Sequence, residues 1–177
     1  MIDSTSWTTV YPEIALLVMA CVIALVDLLV TSPKRTVTYV LTLVSLGGVA
    51  LLNALYADAG QTLYGFGRLV VSDPMGHWLK CFAALAVMVT LVYARPYAAD
   101  RDMMRGGEIF SLSVFALLGM SVMISGQNFL ILYLGLELLT LSSYALVALR
   151  RDNTQATEAA MKYFVLGAMA SGFLLYG

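Results

Sequence analysis

Charge is what this sequence has least of. Lys, Arg, Asp and Glu make up 12% of its 177 residues while 60% are hydrophobic, against roughly 25% charged residues in a soluble domain. A soluble fold of this length needs a polar surface over most of its area, whereas a bilayer accepts apolar surface on the outside. The formal net charge is −1, so neither nucleic acid nor an acidic membrane surface is implied as a partner. Cysteine is almost absent. Cys21 and Cys81 lie in apolar runs without CxxC or Cys/His spacing, which indicates neither a disulfide framework nor a metal site; both are read as inert, packed thiols. There is no Gly-rich phosphate loop between a strand and a helix, no haem-ligating His pair and no Fe–S cysteine pattern. Redox chemistry is therefore not expected on this chain. The start, MIDSTSW, also lacks the basic n-region of a signal peptide, so the first hydrophobic run is expected to remain as a helix.

What the sequence has in quantity is long apolar runs. A spanning helix needs about 20 mostly apolar residues, at about 1.5 Å per residue across a core of about 30 Å. Six segments meet this, at 10–30, 36–56, 74–94, 108–124, 128–149 and 157–177, which predicts an all-α membrane protein with a single transmembrane helical region over 1–177. Ser32-Pro33 ends the first segment, Asp73-Pro74 offers an N-cap and N1 proline to the third, and Ser125-Gly126-Gln127 parts the fourth from the fifth. The fourth and fifth segments should therefore form an antiparallel hairpin. In the longest outer loop, 57–72, the stretch TLYGFGRLVV fits a short hairpin around Gly65 and Gly67, read as a packed surface loop rather than a ligand site. The last segment runs apolar to Gly177 with no polar flank, which reads as a longer protein cut short. Its small-xxx-small pairs, Gly167 with Ser171 and Ala168 with Gly172, would let a neighbouring helix approach closely.

Alternate loops carry Lys34 and Arg35, then Arg95, Arg101 and Arg105, then Arg150 and Arg151, while the other side has only Arg68. Cytoplasmic loops retain the excess of Lys and Arg. The expected orientation is N-terminus outside, periplasmic in a bacterial inner membrane, with the three basic loops in the cytoplasm.

Ionisable residues inside spans cost about 2.5–3.5 kcal/mol each on insertion scales, so each needs a reason. Glu137 lies about twelve residues, or about 18 Å, from the basic loop that follows it, too deep to snorkel. Thr140 and Tyr144, at i+3 and i+7, share its helix face and predict a polar stripe turned into the bundle. Two readings stand: a carboxyl that takes and releases a proton, or a neutral glutamic acid hydrogen-bonded to a neighbouring helix. Lys162 likewise has two. Glu158, four residues earlier, is placed to neutralise it near the interface; alternatively, Lys162 stands between cytoplasmic water and Glu137 and tunes that carboxylate. Asp73, His77 and Lys80, at i, i+4 and i+7, share a face near the outer surface, read first as a solvated or headgroup-facing stripe and second as a proton exit. Asp27, close to Lys34 and Arg35, is read as interfacial pairing.

From Leu134 onward the sequence LGLELLTLSSYALVALRRDNTQATEAAMKYFVLGAMASGFLLYG resembles subunit N of the bacterial proton-pumping NADH:quinone oxidoreductase, respiratory complex I. Gly135-Leu136-Glu137-Leu138, Ser143-Tyr144-Ala145-Leu146, Glu158-Ala159-Ala160-Met161-Lys162-Tyr163-Phe164 and Gly167 to Gly172 occur in order at family-like spacing. The resemblance implies an antiporter-like helical bundle of about fourteen helices, of which this chain supplies roughly the first third. It matches Glu137 to the family's helix-five glutamate and Lys162 to the lysine of its helix-six EAxxKY motif, both in proton transfer. By the same resemblance the chain acts as part of a translocase coupling electron transfer from NADH to quinone with proton pumping. Its partners would be other membrane subunits of the complex, with NADH, flavin, Fe–S clusters and quinone held elsewhere in it. A subunit of a multisubunit cation/proton antiporter or of a membrane hydrogenase shares the same pair of residues, and a structural membrane scaffold without an ion pathway is the alternative of a different class.

Overall fold

The computed structural model describes residues 4–30, 32, 35–101, 103–104, 106–150 and 152–177. Pro33, Lys34, Arg105 and Arg151, used above for punctuation and orientation, lie outside the described residues. A short helix α1 (Ser4–Thr9) precedes α2 (Tyr11–Leu29) and α3 (Thr36–Asp58). A hairpin of β1 (Leu63–Gly65) and β2 (Val70–Ser72) follows, and then α4 (Pro74–Asp100), α5 (Glu108–Ser125), α6 (Phe129–Val147) and α7 (Thr154–Tyr176). Helices α2 to α7 are each long and apolar enough to cross a membrane. They correspond one to one with the six expected spans.

The boundaries that moved have local causes. Helix α4 continues through Pro96 to Asp100, because a proline near a helix end removes one backbone hydrogen bond without stopping the turns behind it. Helix α7 begins at Thr154 because Asn153 caps it, its side chain accepting from the Ala156 amide at 3.0 Å. Asp73 occupies the N-cap position of α4 with Pro74 behind it, as expected, but makes no side-chain cap bond.

The core lies among α2 to α5. Leu16, Ala20 and Ile23 of α2, Leu46 and Ala50 of α3, Cys81, Ala84 and Leu91 of α4, and Phe110, Val114 and Leu117 of α5 are buried together. Their helical spacing, i, i+4, i+7 on α2 and α5, i, i+4 on α3 and i, i+3, i+10 on α4, gives each helix one inward stripe. The rest of each helix surface stays apolar and exposed, including Leu28, Leu29, Val44, Phe82 and Tyr93. This is tenable against lipid and not against water. Cys81 is packed as expected, whereas Cys21 faces outward from α2.

Helix α6 packs along α5 through two glycines. A Cβ on Gly119 would meet the Leu139 amide nitrogen at 2.6 Å and the Gly135 carbonyl at 2.7 Å, and a Cβ on Gly135 would meet the Gly119 carbonyl at 2.9 Å. The two backbones therefore touch. Helix α7 joins only at its flank: Ala160 is its sole buried residue among those described.

One end of the bundle carries the basic loops and the other the hairpin. At the basic end the Asp27 carboxylate accepts from Arg35 at 3.2 Å, Thr38 at 2.9 Å and the Gly107 amide at 2.7 Å. This joins the ends of α2, α3 and α5. Pairing of Asp27 with Arg35 is thus found, with two further donors. At the other end the hairpin pairs Leu63 with Ser72 and Gly65 with Val70. Its turn is left-handed at Phe66, Gly67 and Arg68, with φ of 51°, 67° and 69°. It is tied to the α5–α6 turn by the Gln127 amide donating to the Leu69 carbonyl at 3.0 Å.

Candidate functional site

Glu137 stands near the middle of α6, two residues after the Gly135 contact. Asn128 starts that helix, its side chain accepting from the Leu130 amide at 2.9 Å, and the fit of Gly135 against Gly119 fixes which face of α6 meets α5. Glu137 is half-buried. Its Oε1 is buried with no hydrogen-bond partner among the described residues, and the phenol of Tyr133, one turn earlier, interacts with the same carboxyl group.

The expected polar stripe forms only in part. The Thr140 hydroxyl donates to the backbone carbonyl of Glu137 at 3.1 Å, not to its side chain. Tyr144 is buried between α6 and α7, edge-on to Tyr163 and Phe164 with ring centroids 5.0 and 5.4 Å away. Its hydroxyl lies where a Gly167 side chain would be, so the close approach at Gly167 admits a tyrosine of α6. Gly172, by contrast, has open space around it. Beside Tyr144 a cleft of about 470 Å³ opens between α6 and α7, lined by Ala148, Thr157 and Met161 among others.

Lys162 and Glu158 are brought together, at 2.6 Å, on the open face of α7, where their side chains are 71% and 66% exposed. Among the described residues nothing links Lys162 to Glu137. Glu137 and Lys162 thus belong to adjacent helices but not to one contact.

His77 and Lys80 require a correction. The spacing reading put them first on a solvated or headgroup-facing stripe; they are 1% and 2% exposed. What turns the stripe inward is Glu13, in the first turn of α2. Lys80 Nζ donates to Glu13 Oε1 at 2.7 Å and to Ser125 Oγ at 2.6 Å, and Ser125 donates to the same Glu13 oxygen at 2.7 Å. His77 is held between Ser72 at 2.7 Å and Asn53 at 2.9 Å. Sequence reasoning missed Glu13, Asn53, Ser72 and Ser125. A signal for Glu13 existed: a lysine inside a span demands a carboxylate at its depth, and Glu13 is the acidic residue of the first span at that end.

Comparison with known proteins places these residues in context. Residues 126–177, which hold Glu137, Tyr144, Glu158 and Lys162, match the family described as NADH:quinone oxidoreductase/Mrp antiporter, TM. NADH-quinone oxidoreductase subunit N of Polaromonas naphthalenivorans is 74% identical over 177 residues, covering 100% of this chain and 35% of the relative. The subunit N of Herminiimonas arsenicoxydans is 56% identical over 171 residues, 95% of this chain and 35% of the relative. Among solved structures, respiratory complex I from Thermus thermophilus with bound aureothin matches with a TM-score of 0.69 and 28% identity, over 93% of this chain and 35% of that one. The chain thus spans about 35% of the length of these relatives, and over that span it is similar to subunit N of NADH-quinone oxidoreductases.

Proposed function

We propose that this chain forms part of a proton-translocating membrane subunit of NADH-quinone oxidoreductase and that Glu137 is its proton-carrying residue. The observation that carries this reading is the buried, unpartnered Oε1 of Glu137 at mid-span. A carboxylate oxygen without a donor in a low-dielectric interior is stabilised by a proton, by water or by an approaching cation. The first puts a proton on the carboxyl, and the other two favour its release. The cleft beside Tyr144 supports an approach from the basic end, since Tyr144 lies seven residues, or about 10 Å along α6, from Glu137.

Lys162 is proposed as the group that tunes Glu137, with Glu158 holding its ammonium when the two are apart. Exchange of Lys162 between Glu158 and the α6 side changes the field on Glu137 without adding or removing charge. Thr140 and Tyr144 position α6 and its neighbour and do not themselves carry the proton. The basic loops are assigned to the cytoplasm and the N-terminus to the periplasm of a bacterial inner membrane, on the loop charges. The partners are the other membrane subunits of the complex; NADH, flavin, Fe–S clusters and quinone act elsewhere in that assembly. Copurification with NADH-oxidising and quinone-reducing subunits separates this reading from a cation/proton antiporter, whose name the matching family also carries.

The test is proton translocation by vesicles containing the complete complex, normalised to assembled protein. Glu137→Gln keeps the size and loses the titratable group, so assembly survives and translocation falls; Glu137→Asp has a smaller effect. Wild-type translocation by a fully assembled Glu137→Gln complex rejects the proposal.

A further inference from the structure

The polar cluster at the hairpin end lies on α2, α3, α4, α5 and β2, away from Glu137, and the reading of Glu137 makes no use of it. We propose that Glu13 and Lys80, with Ser125 between them, form a second proton-holding site of this chain, and that His77 is the neighbour whose charge governs it.

The geometry at Glu13 is one-sided. Oε1 receives both the Lys80 ammonium and the Ser125 hydroxyl, at 2.7 Å each, while Oε2 is buried and has no partner among the described residues. The pair is 2% and 9% exposed at the side chain, so bulk water does not satisfy the second oxygen. A carboxylate has about four acceptor positions, and the bare oxygen is the one open to a proton, which on binding there leaves the Lys80 ammonium as the net charge of the pair. Binding there takes a proton from a hydronium ion at the hairpin end, breaking one of its O–H bonds and forming one at Oε2, and converts the carboxylate to the acid. Lys80 keeps all three of its N–H bonds, and the pair goes from net zero to +1. Release breaks the same O–H bond and returns the proton to water at the hairpin end.

His77 is arranged to change charge in place. Asn53 donates through its amide nitrogen to the Val49 carbonyl at 2.9 Å, which turns its oxygen toward His77 and makes Nδ1 the donor of that bond. Ser72 meets Nε2 at 2.7 Å, and a hydroxyl donates to a neutral imidazole or accepts from a charged one with equal ease. Both forms are therefore satisfied without any heavy atom moving. The charges acting on His77 are Lys80, Glu13 and Asp73. Helix α3 adds the Tyr56 ring at 5.3 Å, and α5 contributes Ser125, which carries no charge. His77 precedes Lys80 by three residues on one face of α4, so its cationic form opposes a further proton on the pair and its neutral form does not.

The structural alternative is a permanent clamp whose second oxygen is met by a fixed water. Infrared difference spectra of the full chain in lipid nanodiscs, recorded across a pH titration, separate the two. The expected result is a buried carboxylic-acid C=O stretch that grows on acidification and shifts on deuteration. It persists in Glu137→Gln and disappears in the double variant Glu13→Gln/Lys80→Met, which leaves no unpaired charge behind. His77→Gln displaces its midpoint. Circular dichroism checks that each variant remains helical. An unchanged band in the double variant, or no acid band other than that of Glu137 while the bundle stays folded, overturns the proposal. Neither outcome depends on whether Glu137 carries the pumped proton, because that is read from translocation by the assembled complex.

Discussion

Helices α2 to α5 and the pair α6–α7 differ in how their charged side chains are tied to neighbouring helices. In the first group each charged cluster is bridged between helices: Glu13 to Lys80 and Ser125 at one end, with its second oxygen left without a partner among the described residues, and Asp27 to Arg35, Thr38 and Gly107 at the other. In the second, Glu137 keeps an oxygen without a partner and Lys162 pairs with its own helix on an open face. Charge that is locked by partners on other helices holds those helices together. The half with no such cross-helix charge bridges among the described residues is the one that matches the family described as NADH:quinone oxidoreductase/Mrp antiporter, TM.

The difference is sharpest at Lys80. Lys80→Met leaves the buried Glu13 carboxylate uncompensated and is expected to destabilise the chain by about 3–5 kcal/mol, while adding Glu13→Gln restores most of the loss. Denaturant unfolding in detergent, followed by helical signal, reads both. A double variant no more stable than the single one would show that the pair is not the lock described. The junction between the halves comes next. Gly135→Ala puts a Cβ 2.8 Å from the Met123 amide nitrogen and 2.9 Å from the Gly119 carbonyl, and overpacking of this kind costs about 1–3 kcal/mol. The measurable outcome is weaker α5–α6 association in the same unfolding assay with the α2–α5 core intact; unaltered stability would mean that the backbones do not touch. Smallest is Glu158→Gln, which removes an exposed i, i+4 pair and should shift stability by only about 0.3–0.5 kcal/mol. A loss of several times that would mean that α7 relies on Glu158 for more than local pairing.

The six spans, their order and the α5–α6 hairpin were legible because length, hydropathy and turn residues are local properties. Asp27 was legible for the same reason, its basic partner being eight residues away. The Glu13–Lys80–Ser125 cluster was not, since its members are separated by 67 and 112 residues and only folding reveals that α2, α4 and α5 meet at one depth. Facing direction was the weak point. Spacing put His77 and Lys80 on one face of α4 without saying whether that face meets lipid or Glu13. It also put Thr140 on the face of Glu137 without showing that its hydroxyl turns back to the helix.

The glycine contact between α5 and α6 sets a pivot. With Gly135 held against Gly119, a tilt of α6 swings its ends while the helix near the contact stays almost still. Glu137 lies about 3 Å along the axis from that point and Val147 about 18 Å, at about 1.5 Å per residue. A tilt of about 5° therefore moves the Val147 end by about 1.6 Å and Glu137 by about 0.3 Å. The cleft at Tyr144 widens or narrows while the carboxyl stays on its own depth plane, so the cleft is the movable part and the carboxyl the stationary one.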